Sequence, residues 1–260
     1  MRSILVSADR LPGMEARLES ALAIARANQG HITLLVDTPV VRYVAMDPMG
    51  GSYVASDALK QAMADDDAAA GKLEERLARE DVPFDVVRSE AEPVEALAKA
   101  ARLADLVIVS RAGGLAGDLA LSARTPILAL GEKTILPVPL SGVCVAWDGG
   151  DEAACALRHA VPLLAACARV QVITVAEKPG GFPLTEALRY LSRHGIKAEL
   201  DELPRRGSTE ETLDLAVART GADVLVMGAY GKSRMREYLF GGVTRYFLDK
   251  QDGPALLLAH

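Results

Sequence analysis

Ile4-Leu5-Val6-Ser7-Ala8-Asp9 is a short β-rich run that ends on an aspartate, and it returns as Val143-Cys144-Val145-Ala146-Trp147-Asp148. Each copy is followed by a glycine-containing turn and then by apolar residues at helical spacing: Leu18, Leu22 and Ala25 in the first, Leu157, Ala160, Val161 and Leu164 in the second. A second apolar strand comes next in each half, Ile32 to Val36 and Val170 to Val175. Ala104-Asp105-Leu106-Val107-Ile108-Val109 matches Ala222-Asp223-Val224-Leu225-Val226-Met227, and the halves close with Thr125-Pro126-Ile127-Leu128-Ala129-Leu130 and Gly253-Pro254-Ala255-Leu256-Leu257-Leu258. Matched landmarks in the same order are the mark of a duplicated supersecondary plan.

Strand and helix alternate within each half, and the strands are continuously apolar, so both of their faces must be covered. That pattern predicts two open parallel sheets flanked by helices, an α/β class of Rossmann-like type. Ser208-Thr209-Glu210-Glu211 has the form of a capping box and predicts a helix between the third and fourth strands of the second half, with Leu213, Ala216 and Val217 inward. Pro137 and Pro139 stiffen a linker between Glu132 and Leu140. The expected division is therefore 1–136 and 137–260. In such sheets ligands collect at the carboxyl ends of the strands, where the strand order reverses.

Half of the residues are hydrophobic, but aromatics supply only 4%, so the core is aliphatic. With 29 basic and 35 acidic residues the net charge is −6, which argues against nucleic acid as a partner and leaves room for a small anion held by local positive potential. No run reaches the roughly eighteen apolar residues of a membrane span, and the amino terminus has no core of signal-peptide length. The expectation is a cytoplasmic protein without membrane insertion. Cys144, Cys155 and Cys167 lack zinc spacing and read as small buried hydrophobes.

The halves differ in two places. The first carries a Pro-, Gly-, Met- and Tyr-rich segment, Thr38 to Ser56, with a helix expected over Asp57 to Glu80. It is also about ten residues shorter between Ser110 and Pro126 than the second is between Gly228 and Pro254. The extra residues of the second half fall within its most informative stretch, Gly228-Ala229-Tyr230-Gly231-Lys232-Ser233-Arg234, continuing to Gly241-Gly242-Val243-Thr244. Glycines after a strand let the chain approach a ligand closely. Gly241-Gly242 opens a helical run, Val243 to Lys250, whose free N–H groups and positive dipole end suit a phosphate. Lys232, Arg234, Arg236 and Arg245 add local positive charge. Gly231-Lys232-Ser233 mimics the end of a Walker A loop, but that motif needs a glycine where Val226 stands, and the turn Asp148-Gly149-Gly150-Asp151 lacks dinucleotide spacing.

Gly-x-x-Gly, nine residues, then Gly-Gly-Val-Thr resembles the ATP loop of the universal stress protein family, with Gly228, Gly231, Gly241, Val243 and Thr244 in register. The resemblance covers nearly the whole chain, twice, as in a tandem two-domain member. It implies a strand order of 3-2-1-4-5 in each half and adenine nucleotide, ATP with or without Mg2+, as the ligand. By position it implies phosphate contacts from Gly228, Tyr230, Gly231, Lys232, Arg234, Gly241, Gly242, Val243 and Thr244. Asp148, with Ala146 and Trp147 before it, would lie by the ribose, and the backbone of Val175 by adenine. The family's usual serine is Gly242 here. Ser110-Arg111-Ala112-Gly113-Gly114-Leu115 keeps two glycines but not the rest, which makes the first half a degenerate copy.

Structural readings stand beside these. Asp148 can cap the following helix instead of, or as well as, touching a ligand. Trp147 reads as a packing anchor beside the pocket. Asp65-Asp66-Asp67 reads as a solvated helix face, and the four histidines have no catalytic or metal spacing. The resemblance implies that the closing strands pair inside one chain as a pseudo-dimer, with a homodimer as the other arrangement. The resulting expectation is a regulatory, ATP-binding stress-response protein. Its rivals are a slow ATPase or phosphotransferase, and a nucleotide-free module whose ligand sits in Thr38 to Ser56.

Overall fold

The computed structural model describes residues 1–46, 52–176, 182–231, 242–250 and 252–260. The first half runs β1 (Ser3–Ser7), α1 (Met14–Asn28), β2 (His31–Asp37), a small hairpin of β3 (Val44–Met46) and β4 (Ser52–Val54), α2 (Ser56–Leu77), β5 (Phe84–Ser89), α3 (Pro93–Ala100), β6 (Leu106–Ser110), α4 (Leu115–Ser122) and β7 (Ile127–Leu130). The second runs β8 (Val143–Ala146), α5 (Asp151–Leu164), β9 (Val170–Ala176), α6 (Leu184–Arg193), β10 (Ala198–Pro204), α7 (Thr209–Thr220), β11 (Val224–Gly228), α8 (Gly242–Asp249) and β12 (Ala255–Ala259).

Among the described residues the long strands form one ten-stranded sheet in the order β10-β9-β8-β11-β12-β7-β6-β1-β2-β5. Each half contributes five parallel strands in the order 3-2-1-4-5, as its resemblance implied. The halves meet where β12 and β7 pair antiparallel, with Leu257 opposite Leu128. The two expected sheets are therefore continuous.

Strand pleating sends alternate residues to opposite faces. Ile4 and Val6, Leu106 and Ile108, and Val143 and Val145 enter one core with Leu18, Leu22, Ala156 and Leu157 of α1 and α5. Leu5, Val107, Val109, Cys144 and Met227 enter the other, with Leu97, Leu119, Leu213 and Phe247 from α3, α4, α7 and α8. Each core runs through both halves. Ser208 caps α7 by accepting from the Glu211 N–H, and Glu211 returns the bond to the Ser208 N–H, the predicted capping box.

Asp66 departs from its expectation. It is buried, accepts from Thr38 Oγ1 at 2.6 Å and pairs with Arg10 Nε at 3.0 Å. Only its neighbours Asp65 and Asp67 lie on the exposed face. Helical spacing turns one residue of such a run inward, and α2 uses it to close the end of β2. Cys144 is buried as expected, whereas Cys155 and Cys167 are half-buried.

Candidate functional site

The carboxyl ends of β8, β9 and β11 meet beside the amino end of α5. Trp147 follows β8, and its N–H donates to Ile173 O at 2.8 Å, which seats Asp148 just past the sheet. Asp148 does not cap α5, whose N-cap is Gly150; its Oδ1 instead accepts from the Gly150 N–H at 2.8 Å and holds the turn. Trp147 is 5% exposed and packs in the core, and its indole N–H donates to Phe182 O at 3.2 Å. Ala146 ends β8, and Val175 lies half-buried near the end of β9, paired with Leu203.

Gly228 closes β11 against the first turn of α5. A Cβ there would lie 2.6 Å from Ala153 N and 2.6 Å from Glu152 C, so only glycine fits. A Cβ on Gly231 would lie 3.3 Å from Glu152 Oε2 and 3.5 Å from Asp148 Oδ2, so both carboxylates face the loop. Sequence reading missed Glu152; its signal was its place in the first turn after the Asp148 turn. It also missed Phe182, whose exposed side chain rides on a backbone held by Gly149 O at 3.0 Å.

Thr244 is buried in α8 and accepts from the Tyr230 N–H at 3.3 Å, which ties the helix to the start of the loop. Tyr230 takes a left-handed φ of 57°. Its hydroxyl points toward α4, where a Cβ on Gly117 would meet it. Burial and the charges of Asp118 and Asp249 push the phenol up to about 12. Gly242 and Val243 open α8, with Gly242 exposed and clear of the left-handed region. Arg245 pairs with Asp249 along the helix at 3.2 Å. Lys232, Arg234 and Gly241 lie outside the described residues, as does Arg236.

The matching crevice of the first half is filled. Asp9 corresponds to Asp148, because Ala8 N–H donates to Leu35 O as Trp147 N–H does to Ile173 O. Arg17, a buried residue of α1, pairs with Asp9, and Arg10 and Thr38 hold Asp66 beside them. The same registry puts Asp37 where Val175 stands. Burial, then Asp9 and Asp66, push the Asp37 carboxyl up to about 6, against the pull of Arg42. The shorter stretch between Ser110 and Pro126 still holds a helix. β6 ends at Ser110 and α4 begins at Leu115, after Gly113 and Gly114 at positive φ. The helix survives, and the loop before it is what was lost.

The raised Asp37 value sets a pH dependence. Between the ordinary carboxyl range near pH ~4 and the folded value, the native state holds a proton that the unfolded chain has released. Stability therefore falls as pH rises through that window, and stays lowered above it. Asp37→Asn is expected to raise the melting temperature at pH 7.5 and to leave it near wild type at pH 4, read from thermal scans across that range.

Among the described residues no helix is long and apolar enough to cross a membrane, and no cluster of three or more metal-type ligands occurs. The model of the Universal stress protein family matches residues 141–258. Over nearly the whole chain the fold is that of solved relatives. A universal stress protein from Archaeoglobus fulgidus is 14% identical with a TM-score of 0.72, over 99% of this chain and 96% of that one. A putative universal stress protein from Pseudomonas aeruginosa is 19% identical with a TM-score of 0.63, over 100% of this chain and 93% of the other. No curated protein matches the chain. Residues 141–258 thus carry a domain of the universal stress protein family.

Proposed function

We propose that the chain binds one adenine nucleotide, ATP, in the crevice of its second half, and that it is a regulatory, stress-response protein whose nucleotide alters conformation or partner choice. In this reading the chain divides at 136/137 into a unit without a phosphate loop and a unit that has one. The observation that carries the proposal is the contrast between the two crevices. Gly228 and Gly231 bring no side chain of their own into the second one, while Arg17, Asp37 and Asp66 close the first. The carboxylates of Asp148 and Glu152 beside Gly231 fit a divalent cation such as Mg2+ accompanying the phosphates. Such an ion would offset the charge that a bare triphosphate meets there. Calorimetric titration with MgATP is expected to give one site per chain. Two equivalent sites, or none, would overturn the proposal, and phosphate release on a turnover timescale would favour an ATPase instead.

Gly242→Ser is expected to tighten ATP binding by roughly tenfold. Among the described residues a Cβ at Gly242 meets only Glu210 Oε1, at 3.9 Å, and the residue needs no left-handed φ, so serine fits the first turn of α8. Its hydroxyl can donate to a phosphate oxygen, and a hydrogen bond to a charged group contributes about 1.5–3 kcal/mol. The dissociation constants of the two proteins at fixed magnesium decide it. Unchanged or weaker binding would remove the family serine's role from this position.

A further inference from the structure

Arg111 occupies the first half's counterpart of the glycine loop. Its backbone N–H donates to Leu130 O at 2.8 Å, as that of Ala229 does to Ala259 O at 2.8 Å, so the two positions are equivalent. The second half has an alanine there and the first has a guanidinium. Arg111 is 6% exposed and reaches across the β7–β12 seam. Its Nη1 donates to Lys250 O at 3.2 Å and its Nη2 to Pro254 O. Lys250 directly follows α8, where the last carbonyls have no partner within the helix and a cation meets the negative dipole end. Pro254 leads into β12.

One buried side chain from the first half thus grips the turn that joins α8 to the sheet. Burying a guanidinium is costly, and Nε finds no partner among the described residues, so their hydrogen bonds do not offset the full cost. At the start of the glycine loop Tyr230 rests on α4, also from the first half. The half that lacks a phosphate loop therefore touches the start of the other half's loop and the far end of the helix that follows it.

We propose that Arg111 is a positioning residue, which fixes α8 from its C-terminal end and thereby sets how tightly the amino end of that helix holds phosphate. The phosphate part rests on the nucleotide reading above; the anchoring of α8 does not. Two measurements on the full chain test it. Hydrogen exchange in ligand-free Arg111→Met is expected to quicken roughly tenfold or more for the amides of α8, with those of β1 and β2 unchanged. Calorimetry is expected to give a roughly tenfold higher Kd for MgATP and an unchanged Kd for adenosine, which has no phosphate to present to α8. Arg111→Lys keeps the charge and can reach one carbonyl, so its ATP Kd falls between the two; it also serves should the methionine variant not fold.

Unaltered exchange in α8 would overturn the anchoring. Equal weakening of ATP and adenosine, or no weakening of either, would overturn the positioning role. Wild-type protein that takes up neither ligand would overturn the nucleotide reading, and with it the phosphate part of this proposal. Wild-type ATP binding that survives intact in both variants would overturn the proposal alone.

Discussion

Gly228→Ala is expected to lower the folding free energy by about 3 kcal/mol, the upper end of what one surplus methyl does in a packed interior. The added Cβ would sit 2.6 Å from Ala153 N and 2.6 Å from Glu152 C, and both atoms belong to the backbone of α5's first turn. A flexible side chain could swing away, whereas this turn can yield only by lifting α5 off β11. In a chain of this size such a loss lowers the melting temperature by roughly 6–12 °C. Denaturant titration should show the midpoint falling with little change of slope. The first half tolerates Ser110 at the same position because α1 starts at Met14, later relative to Asp9 than Asp151 is relative to Asp148. A loss below about 1 kcal/mol would mean that α5 shifts more easily than its packing indicates.

Arg17→Met is expected to cost a similar amount, about 3 kcal/mol, for an electrostatic reason. The Arg17 side chain is 1% exposed and its partner Asp9 18%. Removing the guanidinium strands a largely buried carboxylate next to Asp37, and breaking such pairs typically costs about 3–5 kcal/mol. The residual exposure of Asp9 puts the expectation at the lower end. Asp9→Asn added to Arg17→Met should return most of the loss, since two neutral groups replace one orphaned charge. Chemical unfolding of the two single variants and the double variant measures the coupling directly. A double variant no more stable than Arg17→Met would show that packing, and not charge, is what Arg17 supplies.

The fold was legible because its signals are periodic and occur twice. Strand runs such as Leu106 to Val109 and Leu225 to Met227 admit one reading, and their repetition marked two open parallel sheets, whose strand order came from the family resemblance. The glycine spacing likewise has a physical reason in the fold, since a Cβ on Gly228 would meet the backbone of α5 and one on Gly231 the Glu152 carboxylate. What escaped notice depends on single side chains meeting across long stretches of chain. Arg17 lies among the apolar residues of α1, and nothing local says that it turns back to Asp9. Asp66 looks like its two neighbours in a run of three, yet it alone turns in to meet Thr38. Tyr230 sits inside a ligand-type motif but turns its hydroxyl toward the other half, because a left-handed backbone at that residue aims it there. Arg111 gave no signal, as its partners are the carbonyls of Lys250 and Pro254.

The antiparallel join of β7 to β12 has a consequence for how each half can change. Two separate chains meeting through the same strands would be bound by symmetry, and any substitution would appear in both at once. Their association would also weaken on dilution. A covalent tether makes the meeting intramolecular and independent of protein concentration. It also frees each half from copying the other. An arginine can enter one crevice while glycines are kept in its counterpart, and the ratio of closed to open crevices is set by the gene and not by assembly.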